Sequence, residues 1–190
     1  MMMVDTTVHH GYLPYPHPAA LPDDDLLADC TLGKGRSGGP GGQHRNKVET
    51  KITLTHNPTG ITSQAGERRE VVVNKRVAIR RLRLSLATEH RIGVPIGAIG
   101  SQLWKSRLKP RKSADGTRSN AISCNPEHHD YPSLLAEALD VICDAEWELK
   151  KAALRLETTP SQLIKLVKDH PAAFAKLNAE RAKLGKHPIK

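Results

Sequence analysis

The stretch Arg36-Ser37-Gly38-Gly39-Pro40-Gly41-Gly42-Gln43-His44-Arg45-Asn46-Lys47-Val48 constrains this chain more than any other. Its glycines can take φ > 0 and let a backbone come close to a ligand, and its proline cannot donate a hydrogen bond. The stretch is therefore a loop, and one that is costly to order. A Gly-Pro-rich run is ordinarily surface connection without chemistry. Two phosphate-loop patterns fail on spacing. G-x-x-x-x-G-K-[ST] is absent, and the dinucleotide fingerprint needs a strand before it and an acidic residue well after it. What remains is a run of bare N–H groups bracketed by the cations Arg36, Arg45 and Lys47, which suits an anion or a phosphate backbone. Gln43 follows the glycines at once, and its amide is neither base nor nucleophile at neutral pH.

Charge is concentrated around that loop. Residues 1–33, 34–118 and 119–190 carry net charges of −5, +14 and zero, which make up the +9 of the 190-residue chain. A basic excess confined to one segment is the footprint expected for a polyanion partner, against the plainer alternative of a solvated basic surface. Cys30, Cys124 and Cys143 show no CxxC spacing, so neither a disulfide framework nor a structural zinc site is expected, in keeping with a reducing compartment. Cys124 with His128, His129 and Asp130 reads as a loop cluster, because adjacent histidines point apart on regular backbone and no second set completes a tetrahedron. No metal is expected. No apolar run reaches the ~20 residues a membrane span needs. The acidic N-terminus does not read as a secretory or mitochondrial leader.

Taken in order, residues 1–20 read as a flexible arm without periodicity. Cys30 and Leu32 give a weak strand into the loop. Lys51 to Thr55 alternate with Ile52 and Leu54 on one side, a half-buried strand. Asn57-Pro58-Thr59-Gly60 signals a type I turn, and Ile61 to Gln64 returns as its partner. Residues 67–89 form a long helix with Val71, Ala78, Leu82 and Leu86 on one stripe and Arg76, Arg80 and Arg83 on another face. Residues 91–125 read as a basic linker, broken by Gly93, Pro95, Gly97 and Gly100. Trp104 there suits either a base to stack on or a core to dock on. Residues 126–190 read as a helical module. One helix follows Ser133, another contains Ala152 and Leu156, a third opens at Thr159-Pro160-Ser161-Gln162, and a fourth ends at Gly185. Its helix-turn-helix-like spacing lacks the basic excess DNA needs, so DNA binding is not expected.

The loop string resembles the GGQ loop of class I peptide release factors and of related peptidyl-tRNA hydrolases that rescue stalled ribosomes. Gly41, Gly42 and Gln43 supply the motif, with Ser37 and Gly38 ahead of it and Asn46-Lys47 behind. The likeness continues through Thr50 to His56, the turn at Pro58-Thr59-Gly60-Ile61, and Glu67-Arg68-Arg69 before a helix with Asn74-Lys75 and Ala78. It covers about residues 25–90. It implies an α+β fold, a small sheet packed on one long helix with a protruding GGQ loop, here residues 21–90. A basic linker (91–125) and a small all-α module (126–190) are expected to follow.

The resemblance further implies a loop that enters the ribosomal peptidyl transferase centre and triggers hydrolysis of the P-site peptidyl-tRNA. The catalytic positions would be Gly41, Gly42 and Gln43. RNA contacts would come from Arg36, Arg45, Asn46, Lys47, Lys75, Arg76, Arg80, Lys105, Arg107, Lys109, Arg111 and Lys112. Gln43 is a candidate for N5-methylation. No cofactor is expected, because rRNA and tRNA supply the rest of the site. The chain is expected to be a cytoplasmic monomer. A codon-reading release factor carries a further domain that this length does not accommodate, which points to codon-independent rescue. The Lys/Arg-rich tail of known rescue hydrolases has no counterpart in residues 182–190, and the basic segment 105–118 is the candidate replacement. The rival class is a non-catalytic RNA-binding or regulatory protein.

Overall fold

In Lys51–His56 every second side chain is apolar or aromatic, and the segment forms strand β2 with Ile52, Leu54 and His56 buried. Strand β1 (Cys30–Gly35) pairs with it antiparallel, from Cys30↔His56 to Gly35↔Lys51. Strand β3 (Thr62–Ala65) pairs on its other edge, from Ile52↔Ala65 to Thr55↔Thr62. The order is β1-β2-β3. The chain turns where expected, but the turn starts one residue earlier than the type I pattern at 57–60. Thr59 and Gly60 both donate to the His56 carbonyl, and Gly60 takes φ +70°, a conformation glycine adopts without strain. β1 is an edge strand, exposed along most of its length, so the Cys30/Leu32 alternation does not mark an inward face. The computed structural model describes residues 16–36, 49–94, 100–112 and 118–190.

A short helix α1 (Asp23–Ala28) precedes the sheet, and a long helix α2 (Val71–Glu89) packs across it. Ala78, Leu82 and Leu86 are buried as the stripe requires, and Ile79 and Ala87 join them. The wider apolar face has a cause: α2 meets the sheet on one side and helix α4 (Tyr131–Asp144) on the other.

Residues 100–125 depart from a linker. Ser101 caps helix α3 (Gln102–Arg107) by accepting from the Trp104 N–H at 3.0 Å. The next residues form a hairpin of β4 (Leu108–Lys112) and β5 (Arg118–Ile122). Trp104 is 1% exposed and donates from Nε1 to the Leu156 carbonyl at 3.0 Å. The tryptophan therefore docks on a core and is not available to stack on a base. Three more helices follow: α5 (Leu149–Arg155), α6 (Pro160–Lys168), capped by Thr159 accepting from the Gln162 N–H, and α7 (Pro171–Lys183). They share one hydrophobic core with the sheet and α2. The end of the expected N-terminal arm belongs to the same body. Pro18–Ala20 is a 3-10 turn against α2 and α4, with His17, Pro18 and Ala19 buried.

Candidate functional site

The glycine-rich string connects β1 to β2. Gly35 and Lys51 are the last paired residues, so both ends of the connection leave from adjacent positions at one end of the sheet. Gly41, Gly42, Gln43, Arg45, Asn46 and Lys47 lie outside the described residues. Arg36, at the leaving end, is exposed. Thr50, at the returning end, is buried, and its carbonyl accepts a hydrogen bond from Asn74 Nδ2 at 2.6 Å. Asn74 is itself fully buried on α2. Its Nδ2 also donates to the Arg68 carbonyl at 2.8 Å, and its Oδ1 accepts from the Arg68 N–H at 3.0 Å.

The cations assigned to RNA divide into two groups. Arg76, Lys105, Lys109 and Arg111 are exposed, and Lys75 is half-buried; none of them forms an ion pair among the described residues. The Lys112 side chain lies outside the described residues. Lys109 and Arg111 sit two apart on β4, opposite Ala121 and Ser119, so they share a face with small uncharged neighbours. The opposite face turns inward: Ile122 is buried, and Asn120 donates to the Glu157 carbonyl at 2.9 Å.

Arg80 and Arg107, also assigned to RNA, are engaged by neighbouring protein. The Arg80 guanidinium donates to the carbonyls of Glu127 at 3.2 Å, His128 at 3.4 Å and Pro126, and it pairs with the Glu127 carboxylate. It fastens the 126–128 loop to α2. Arg107 pairs with Asp130. Arg83 likewise donates to Asp23 at 2.6 Å and to the Ala19 carbonyl at 2.8 Å. These arginines face neighbouring protein rather than open solvent. His128 and His129, expected to point apart, instead lie with ring centroids 4.2 Å apart beside Asp130. The Asp130 N–H donates to His128 Nδ1 at 3.2 Å, and Arg107 engages the carboxylate. Cys124 is not part of the group.

One cluster had no signal in the sequence. The Arg91 guanidinium donates to Asp140 Oδ1 at 2.9 Å, and the Ile92 N–H donates to the same oxygen at 3.3 Å. Burial pushes the Asp140 carboxyl up to about 7 against the pull of Arg91. Nearby, His17 accepts from the Ala19 N–H at 3.0 Å on Nδ1 and lies 3.3 Å from the His90 carbonyl through Nε2, which must then carry the proton. Burial, reinforced by the Arg91 charge, pushes His17 down to about 3. Glu137, raised by burial, accepts from the Ser101 N–H at 2.6 Å and hydroxyl at 2.7 Å. These groups fasten the seam where the N-terminal turn, the end of α2 and α4 meet. An isolated Arg just past one helix gives no sign of an Asp partner on another 49 residues away.

The described geometry is that of a small sheet and long helix holding the two stems of a glycine-rich loop, with exposed cations on α2 and on a basic hairpin. Residues 21–114 match the family model described as the RF-1 domain, and this match supports a class I release factor-like family. Among curated relatives, peptide chain release factor 1 of Xylella fastidiosa is 27% identical over 140 residues, covering 66% of this chain and 39% of the relative. Peptide chain release factor 1 of Symbiobacterium thermophilum is 44% identical over 132 residues, covering 63% of this chain and 35% of the relative. The chloroplastic peptide chain release factor PrfB1 of Arabidopsis thaliana is 42% identical over 66 residues, covering 35% of this chain and 14% of the relative. The chain thus spans about two fifths or less of the length of these relatives. No helix among the described residues is long and apolar enough to cross a membrane.

Proposed function

We propose that this chain is a release factor-like, ribosome-dependent peptidyl-tRNA hydrolase that acts in translation termination without reading a codon. The observation that carries the proposal is positional. The Gly41-Gly42-Gln43 string falls inside the matched stretch 21–114, on the connection whose stems are fixed at Gly35↔Lys51 and at Thr50. Attack of water on the ester carbon builds charge on an oxyanion and on the departing ribose oxygen. A backbone N–H at Gln43 aimed at that charge stabilises it without acid or base chemistry. Gly41 and Gly42 allow the dihedrals that aim it. The Gln43 side chain lines the water site and excludes bulkier nucleophiles, and it is the candidate for N5-methylation. The partners are rRNA and the P-site peptidyl-tRNA, met by a monomer in the cytoplasm. Arg36, Arg45, Asn46, Lys47, Lys75 and Arg76 face RNA phosphates around the loop. Lys105, Lys109, Arg111 and Lys112 do so on α3 and the hairpin.

The test pairs peptide release with ribosome binding. Replacing Gln43 with proline removes the donor N–H. Release from ribosomes carrying peptidyl-tRNA should fall roughly 100- to 1,000-fold while binding is retained. Gly42→Ala should act in the same direction. Lost binding, or no effect of either variant, would instead favour a loop that only grips RNA.

A further inference from the structure

We propose that Asn74 is a positioning residue for the loop: its carboxamide fixes the backbone at which the glycine-rich connection re-enters the sheet. The proposal rests on the reading that this loop carries the chemistry, and it concerns a residue that touches neither substrate nor reacting atoms.

Asparagine in a helix interior is intrinsically unfavourable, and burying its amide costs more unless the polar atoms are paired. Asn74 is fully buried in the first turn of α2, and both ends of its amide are used. Its Oδ1 and Nδ2 hold the N–H and carbonyl of Arg68, which stabilises the approach to the helix. The remaining Nδ2 proton goes to the Thr50 carbonyl at 2.6 Å. This last bond supplies nothing to α2 itself. It ties the helix to the residue just before Lys51, where the β1–β2 ladder begins.

Glycine gains no restraint from a side chain, so the aim of a glycine-rich connection depends on its stems. Among the described residues, the leaving stem is held by ladder pairing alone, on an exposed edge strand. The returning stem is held by the ladder and by Asn74. A displacement of about 1 Å at a reacting group costs on the order of 100-fold in rate, and binding contributed by other surfaces is unaffected. Loss of the Asn74–Thr50 bond should therefore appear in kcat rather than in KM.

A matched control exists in the same fold. Ser63 Oγ donates to the Ala78 carbonyl at 2.8 Å, also buried, and ties β3 to α2 away from the loop stems. The experiment compares Asn74→Ala, Asn74→Asp and Ser63→Ala in the full chain. Asn74→Asp keeps the acceptor for Arg68 and loses both Nδ2 donations. Two readouts are taken under conditions where every variant is folded: amide hydrogen exchange at Glu49–Lys51, and single-turnover peptide release across ribosome concentrations. Both Asn74 variants should accelerate exchange at Glu49–Lys51. They should lower kcat at least tenfold and leave KM within about twofold. Ser63→Ala should lower stability and change neither readout. Unchanged exchange in the Asn74 variants would overturn the proposal whatever the activity. So would faster exchange with unaltered kcat, or a Ser63→Ala variant that behaves as they do. If the wild-type chain releases no peptide while the exchange result holds, the clamp stands and the hydrolase reading fails.

Discussion

Lowering the pH from 6.5 to 5 should drive two single variants of this protein apart in stability. His17 is 3% exposed and neutral in the fold, and burial moves it from 6.5 to about 3. Below 6.5 the unfolded chain takes a proton there that the folded chain refuses, so acid favours unfolding until pH approaches 3. Asp140 is 4% exposed, and burial moves it from 3.8 to about 7. The folded chain keeps that proton while the unfolded chain releases it, so this contribution is full below 3.8 and is lost as pH rises through 7. Each group changes stability by up to about 1.4 kcal/mol per pH unit, with opposite signs over nearly the same window. From pH 6.5 to 5 each amounts to about 2 kcal/mol, and the two offset one another in the wild type. His17→Gln removes the first contribution, so this variant should gain about 2 kcal/mol relative to wild type on going from pH 6.5 to 5. Asp140→Asn removes the second and should lose about as much. Urea unfolding of the three proteins at the two pH values measures the differences. His56, His90 and Glu137 are present in all three, and only their couplings to His17 and Asp140 differ between the variants. Parallel pH dependence in all three would refute the assignment of opposed buried titrations at this seam.

The remaining expectations concern the division of labour among side chains. Trp104→Ala should destabilise the whole chain by about 3–5 kcal/mol in urea or thermal unfolding, because Trp104 lies in the core shared by sheet and helices. Arg80→Gln should lower stability by about 1–3 kcal/mol, by leaving the carbonyls of residues 126–128 short of a donor, and should leave ribosome affinity unchanged. Lys109→Gln with Arg111→Gln should do the reverse. Stability holds, ribosome affinity falls, and the slope of log affinity against log salt shrinks by about 1.5. Gly60→Ala should cost about 1 kcal/mol, since φ +70° strains any residue with a Cβ.

Local periodicity was enough to read β2, the turn after it, β3 and the buried stripe of α2. Each is written in residues a few positions apart, and each folds against a single apolar layer. The hairpin was not legible, and the docking of Trp104 was one of two open alternatives. Their signals are non-local: the indole's partner is the Leu156 carbonyl 52 residues on, and the hairpin's inward face is short and flanked by cations. The same limit explains Arg80. A helical wheel shows which face an arginine occupies on its own helix and does not show a loop more than forty residues away arriving to cover it. The glycine-rich string was legible for the opposite reason. Its chemistry depends on backbone freedom, which residue type announces directly. The Asn74–Thr50 bond was half legible, since Asn74 belonged to the resemblance while its partner is a carbonyl that any residue could supply.

The central claim is that this chain opens a peptidyl-tRNA ester held by a ribosome, whatever the codon. Its most direct measurement is the rate of peptide release by saturating wild-type protein from ribosomes with P-site peptidyl-tRNA and a stop codon, a sense codon or no codon in the A site. Comparable release in all three cases is predicted. Release with the stop codon alone would make the chain a codon reader, and release with none would contradict the account.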